Sequence, residues 1–89
     1  MRVLESVIEN NLTRRVEALG GLTYKLAPTG RINKPDRLVM LPNGKLFFVE
    51  CKRPGEKPRP GQIREHERLR RLGYRVVVLD SHDVSFLYE

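Results

Sequence analysis

Eighty-nine residues, 39% of them hydrophobic and 31% charged, allow one domain around one modest core and argue against a disordered chain. The net charge of +6, with a pI of about 10.0, favours a polyanionic partner such as nucleic acid or an acidic membrane surface, and serves solubility as well. The lone Cys51 excludes an internal disulfide and a cysteine metal cage, His66 and His82 are too few for a structural zinc site, and no apolar run approaches the roughly 20 residues of a membrane helix.

Residues 1–19 read as an amphipathic helix, with Leu4, Ile8, Leu12, Val16 and Leu19 on the helical period and Gly20-Gly21 closing it. Glu5 and Glu9 near the start, with no apolar signal core, speak against a secretion signal and for the cytoplasm. Glu5 falls inside the apolar arc and Glu9 just beyond its edge. Arg15 also projects into the arc, so a functional acid and a plain Glu–Arg pair both remain open. Residues 22–27 alternate as a first strand, with Leu22, Tyr24 and Leu26 on one face. Residues 28–35 are a loop made cationic by Arg31 and Lys34, either a connector or a basic flap.

Pro35-Asp36 introduces two apolar runs, Leu38-Val39-Met40-Leu41 and Leu46-Phe47-Phe48-Val49, joined at Pro42-Asn43-Gly44 and followed by Glu50-Cys51-Lys52. That pattern predicts a β-hairpin. Antiparallel pairing brings Asp36 roughly opposite Glu50. Glu50 and Lys52, two apart, share a face, and Cys51 points to the other. Two carboxylates and an ammonium at a sheet end form a surface ion pair more often than a site; a divalent cation between the acids is the functional alternative. The next loop, residues 53–61, is broken by Pro54, Pro58 and Pro60 and is basic at Arg53, Lys57 and Arg59.

Residues 62–72 form a second predicted helix, with Ile63, His66, Leu69 and Leu72 as its packing stripe and Gly73 as its end. His66 reads as a core histidine. Arg64, Arg68, Arg70 and Arg71 suit phosphate contacts or a solvated face, and Gln62 is placed to reach the acids or to be a surface amide. Residues 75–80 are β-branched enough for a strand buried on both faces, pairing in parallel after a helical crossover. Residues 84–88 close the core as a short helix or an extended tail.

An acid on the first helix, Pro35-Asp36, Glu50-Cys51-Lys52 and Gln62, in this order, resemble the PD-(D/E)xK nuclease superfamily. Within it, Lys34-Pro35-Asp36-Arg37, the run from Asn43 to Lys52, and Gly73-Tyr74-Arg75-Val76-Val77-Val78 resemble the virus-type replication-repair nuclease module, VRR-NUC, over nearly the whole chain. Two departures stand out. Asn33 replaces a usual glycine, and asparagine also tolerates left-handed backbone; Cys51 replaces an aliphatic residue.

The resemblance implies a single module over residues 1–89, of the α/β class, with a restriction-endonuclease-like αβββαβ core and a mixed sheet flanked by helices. It implies a Mg²⁺- or Mn²⁺-dependent, structure-selective DNA endonuclease, a homodimer that cuts branched DNA such as Holliday junctions in repair, encoded by a phage or mobile element and working in the cytoplasm, the host's if phage-encoded. Asp36 and Glu50 would be the main metal ligands, with the Cys51 carbonyl and Glu5 or Glu9 completing the set. Spacing back from Gly20 favours Glu5, and related resolvases favour Glu9. Lys52 would activate water and Gln62 would position Lys52 or the water, while Arg31, Lys34, Arg53, Lys57 and Arg59 would hold the DNA backbone. The alternative is a catalytically silent nucleic-acid-binding module of the same fold, against which the intact Asp36, Glu50 and Lys52 argue.

Overall fold

The computed structural model describes residues 3–89, so the predicted helix start at residues 1–2 lies outside the described residues. The first helix, α1 (Glu5–Ala18), buries Ile8, Leu12 and Val16 completely, one above another at four-residue spacing. Leu4, expected in the stripe, precedes the first turn and is exposed, and Arg15 is exposed as well. The helix ends against the sheet at Gly21, where a Cβ would lie 2.4 Å from the Met40 carbonyl oxygen; only glycine permits that approach.

Four strands follow: β1 (Leu22–Lys25), β2 (Arg37–Leu41), β3 (Lys45–Cys51) and, after the helix α2 (Pro60–Arg71), β4 (Arg75–Leu79). The sheet order is β1-β2-β3-β4. β2 and β3 form the predicted hairpin, with Leu41 opposite Lys45 and Arg37 opposite Val49. Its connection is the three-residue turn Pro42–Gly44, in which Asn43 (φ 68°) and Gly44 (φ 76°) take left-handed backbone. β1 pairs antiparallel with β2, and β4 pairs parallel with β3, as the helical crossover requires.

Alternation along these strands sorts two faces. Val39, Leu41, Phe47, Val49, Cys51 and Leu79 join α1 in the core. The chain end is a short helical turn, Ser85–Tyr88, which sets the Phe86 ring edge-on to Phe47 with centroids 5.3 Å apart. On the other face α2 covers β4 and the end of β3.

The α2 surface turned inward is only partly the expected one: His66 and Leu69 face inward as expected, and Ile63 and Leu72 do not. Gln62, Glu65 and His66 are buried and Leu69 is half-buried, while Ile63 and Leu72 are 43% and 70% exposed. The helix is rotated because its inward residues have polar partners, described below, that outweigh two apolar side chains. β1 shows the expected alternation, with Leu22 and Tyr24 on one side. Leu22 and Tyr24 point to the face that α2 leaves uncovered and are 55% and 57% exposed. Among the described residues no helix is long and apolar enough to cross a membrane.

Candidate active site

The hairpin register places Asp36, one residue before β2, opposite Glu50. Asp36 is held by its neighbours: its carbonyl accepts the Leu26 N–H at 2.7 Å, and its Oδ2 accepts the Cys51 N–H at 2.8 Å. Pro35, fully buried, fixes the chain entering that position.

Glu50 is 2% exposed. Its Oε2 accepts from Gln62 Nε2 at 3.1 Å and lies 3.6 Å from Lys52 Nζ. Its Oε1 has no hydrogen-bond partner. Burial first, and then the negative charge of Asp36, push the Glu50 carboxyl from 4.5 up to about 7, against the pull of Lys52. Lys52 is itself buried, its Nζ between Glu50 and Glu56 Oε1, the latter 3.7 Å away.

Gln62 ties this cluster to the start of α2. Its Oε1 accepts the Arg59 N–H at 2.9 Å, capping the helix, while its amide nitrogen holds Glu50. Its contact is therefore with the acid rather than with the lysine.

Both acids of α1 approach Asp36. Glu9 is buried and has Arg37 Nε at 3.6 Å, so its cationic neighbour comes from β2 and not from Arg15. Glu9, Asp36 and the Cys51 Sγ bring ligand atoms within 4.8 Å of one another. Glu5, one turn earlier and half-buried, has its carboxyl raised by burial and then by Asp36 and Glu9. The Cys51 side chain lies in the core. Burial, followed by the charges of Glu9 and Asp36, pushes its thiol up to about 12, so it stays protonated and leaves the cluster an oxygen donor set. Converging carboxylates, one of them with an orphaned buried oxygen and an elevated pKa, fit a hard divalent cation.

A cleft of about 310 Å³ opens in front of Asp36 and Gln62, lined also by Arg31, Asn33, Lys34 and Arg59. Asn33 adopts left-handed backbone (φ 64°), as expected of an asparagine in a glycine's place. A Cβ at Gly61 would come 2.7 Å from its side-chain nitrogen, so α2 and the 28–35 loop meet through that glycine. Lys34 donates to the Thr29 carbonyl, which folds the loop on itself. Arg53 and Lys57 are exposed on the loop before α2.

Beside this cleft is a hollow of about 410 Å³ lined by Arg31, Gly61, Arg64, Glu65 and Arg68. Glu65, 7% exposed, binds Arg31 at 2.5 Å and has Arg68 at 3.4 Å. The Arg31 hydrogen bond, more than the charges of Arg31 and Arg68, holds its carboxyl below the usual range. The sequence reading left Glu65 out. Its three-residue spacing from Arg68 was the available signal, but the partner that matters, Arg31, is 34 positions away. Glu65→Ala is expected to free the 28–35 loop, measured as faster trypsin cleavage after Arg31; an unchanged rate would show that the ion pair does not hold the loop.

No protein-family model matches the chain. The chain is 57% identical over 86 residues, 96% of its own length and 92% of the relative's, to a protein described as "Putative nuclease p44" of Acyrthosiphon pisum secondary endosymbiont phage 1. A solved structure described as a VRR_NUC domain matches with a TM-score of 0.81 and 47% identity, over 88% of this chain and 85% of that one. Likeness of this extent in sequence and in backbone, around a hairpin that sets Asp36 against Glu50 and Lys52, leads to one conclusion: the chain belongs to the VRR-NUC family of nucleases.

Proposed function

We propose that the chain is a Mg²⁺- or Mn²⁺-dependent endodeoxyribonuclease that cuts branched DNA such as four-way junctions, with residues 1–89 acting as one catalytic module. The observation that carries this reading is Glu50. It is a buried carboxylate with one oxygen unpartnered, set beside Lys52 and opposite Asp36, and Asp36 and the carboxylate's partner Gln62 line a basic cleft. Asp36 and Glu50 would hold the cation, with the Cys51 carbonyl and Glu9 or Glu5 completing the set. When bound, the ion supplies charge neutralisation at the phosphate and acidifies water.

The rest falls to the chain. Lys52 orients or deprotonates the attacking water and offsets charge at the scissile phosphate. Gln62 keeps Glu50 in place. Arg31, Lys34, Arg53, Lys57 and Arg59 grip the DNA backbone, with Arg64 and Arg68 extending the track, so binding weakens with salt. Lys34, Arg53, Lys57 and Arg59 each precede a proline, which restricts them to extended backbone and lowers the ordering cost of binding. The phage source of the relative supports a setting in host cytoplasm.

The test is a labelled four-way junction beside a linear duplex of the same sequence, with Mg²⁺, Mn²⁺ or EDTA. Cleavage of the junction that requires metal is the expected result. Junction binding without metal-dependent cleavage would favour a catalytically silent module of the same fold.

Two cuts in one junction call for two sites, and the uncovered sheet face supports a homodimer. The pairs Leu22–Met40, Tyr24–Leu38, Met40–Leu46 and Leu38–Phe48 all lie on that face. Tyr74, 50% exposed, extends it edge-on to Phe48. A continuous apolar surface of this kind is a common mark of protein association. Tyr24→Glu is expected to halve the mass measured by light scattering; a wild type that is already monomeric at micromolar concentration would exclude the dimer.

A further inference from the structure

Three buried side-chain polar atoms among the described residues have no hydrogen-bond partner: Arg37 Nε, Glu50 Oε1 and His66 Nε2. The last two face each other at 3.9 Å. His66 is 1% exposed and sits one helical turn after Gln62, so consecutive turns of α2 approach the same carboxylate. Gln62 and Lys52 engage one oxygen of Glu50; His66 is directed at the other.

A histidine serving only as core filler would be expected to direct its polar atoms to partners. Here the imidazole nitrogen ends in front of an acceptor that also has no partner. Two lone pairs in that arrangement repel, whereas one N–H between them attracts. A neutral imidazole carries one proton, which it can place on either nitrogen. About 1 Å of side-chain movement brings the pair within hydrogen-bond range.

We propose that His66, carried as the Nε2–H tautomer, is a positioning residue that orients the Glu50 carboxylate from the side opposite Gln62, so that Glu50 meets the cation in one rotamer. The inference rests on the metal-dependent reading above. His66 touches neither DNA nor the reacting atoms; it acts through Glu50. Donors behind a ligating carboxylate typically account for about 10–100-fold in metal affinity or activity.

The first measurement uses the wild type alone. Long-range ¹⁵N–¹H correlation spectra of the imidazoles are expected to show His66 protonated at Nε2, and protonation at Nδ1 overturns the proposal. The second compares His66→Leu, which keeps apolar volume without a donor, and His66→Gln, which places an amide N–H near the same position. Mn²⁺ binding is followed by the paramagnetic resonance signal of the free ion, and folding by thermal melting. His66→Leu is expected to bind Mn²⁺ about 10–100-fold more weakly. It should need correspondingly more Mn²⁺ for half-maximal cleavage, with an unchanged KM for DNA, and His66→Gln should recover most of the loss.

A merely structural histidine would lower the melting temperature and leave the Mn²⁺ dependence where it was. Unchanged Mn²⁺ binding by His66→Leu overturns this inference alone. A wild type whose Mn²⁺ binding is absent, or is not reduced by Glu50→Gln, overturns the metal-site reading and this inference with it. If His66→Leu does not fold, His66→Gln and the tautomer spectrum of the wild type decide.

Discussion

Replacing Lys52 by alanine is expected to lower metal-dependent cleavage about 10²–10⁴-fold, the usual contribution of a positioned acid–base group, while the protein stays folded and still binds the junction. The separation of effects follows from the surroundings of Lys52. Its ammonium lies 3.6 Å from Glu50 and 3.7 Å from Glu56, and the cationic groups assigned to the DNA backbone are on the 28–35 and 53–61 loops and on α2. Removing one partner of a buried ion pair usually costs about 3–5 kcal/mol, because the other charge is stranded. Here the stranded group can escape that cost. Glu50, already raised to about 7, moves further up without Lys52 and takes up a proton. The measurement is cleavage of a labelled junction beside gel-shift binding and a thermal melt. Retained cleavage by a folded variant would remove Lys52 from the chemistry; lost binding together with lost cleavage would recast it as a DNA contact.

Glu50→Gln should abolish cutting and yet stabilise the metal-free protein at alkaline pH. An acid whose pKa is raised on folding binds more protons in the native than in the unfolded state between the two values. Stability from that group is therefore fully present below the ordinary value of 4.5 and is lost as pH rises to about 7. Above about 7 the native protein holds a charge it would be more stable without. Glutamine keeps an oxygen for the Gln62 amide and carries no charge. The melting temperature of the variant should exceed that of the wild type by several degrees at pH 8, since 1 kcal/mol corresponds to about 4–8 °C in a domain of this size. The difference should shrink toward pH 4.5. Mn²⁺ at pH 8 should raise the melting temperature of the wild type and not of the variant, because an ion that binds only the folded site stabilises it by mass action. A variant no more stable than wild type at pH 8 would show that Glu50 is not strained. Equal stabilisation of both proteins by Mn²⁺ would place the cation elsewhere.

Much of the site was legible because it lies on one hairpin. The apolar runs before Pro42 and after Gly44 fix which residues face each other, and a turn at Asn43-Gly44 with left-handed backbone leaves one register. From that register alone Asp36 falls opposite Glu50, and alternation puts Cys51 on the opposite face from Glu50 and Lys52. Gln62 was legible as a candidate from its place at a helix start close behind Lys52. Its bond to Glu50 was not, because a sequence shows how near an amide is along the chain and not which oxygen it meets.

The rotation of α2 was the larger departure. The predicted stripe placed His66 and Leu69 inside correctly and Ile63 and Leu72 wrongly, whereas Gln62 and Glu65 fill the interior beside His66. Periodicity registers hydrophobicity and is blind to a buried glutamate whose arginine comes from a loop, or to a histidine directed at a carboxylate on another strand. Which sheet face the apolar side of β1 meets was not legible for a related reason. Alternation shows that Leu22 and Tyr24 share a side, but not that α2 is too short and too far toward β4 to cover it.

The sequence by itself determined the order of helices and strands, the hairpin register, the basic character of both loops and the meeting of Asp36, Glu50 and Lys52. Each of these depends on neighbours within a few residues or on a single turn. Only the tertiary structure decided that Glu9 and Glu5 both reach Asp36, that Arg31 is tied to Glu65, that Glu50 keeps one oxygen free opposite His66, and that half of one sheet face stays uncovered. Those features depend on how α1 and α2 are rotated against the sheet. That rotation is set by the sum of long-range contacts and buried polar pairings, which no local pattern encodes.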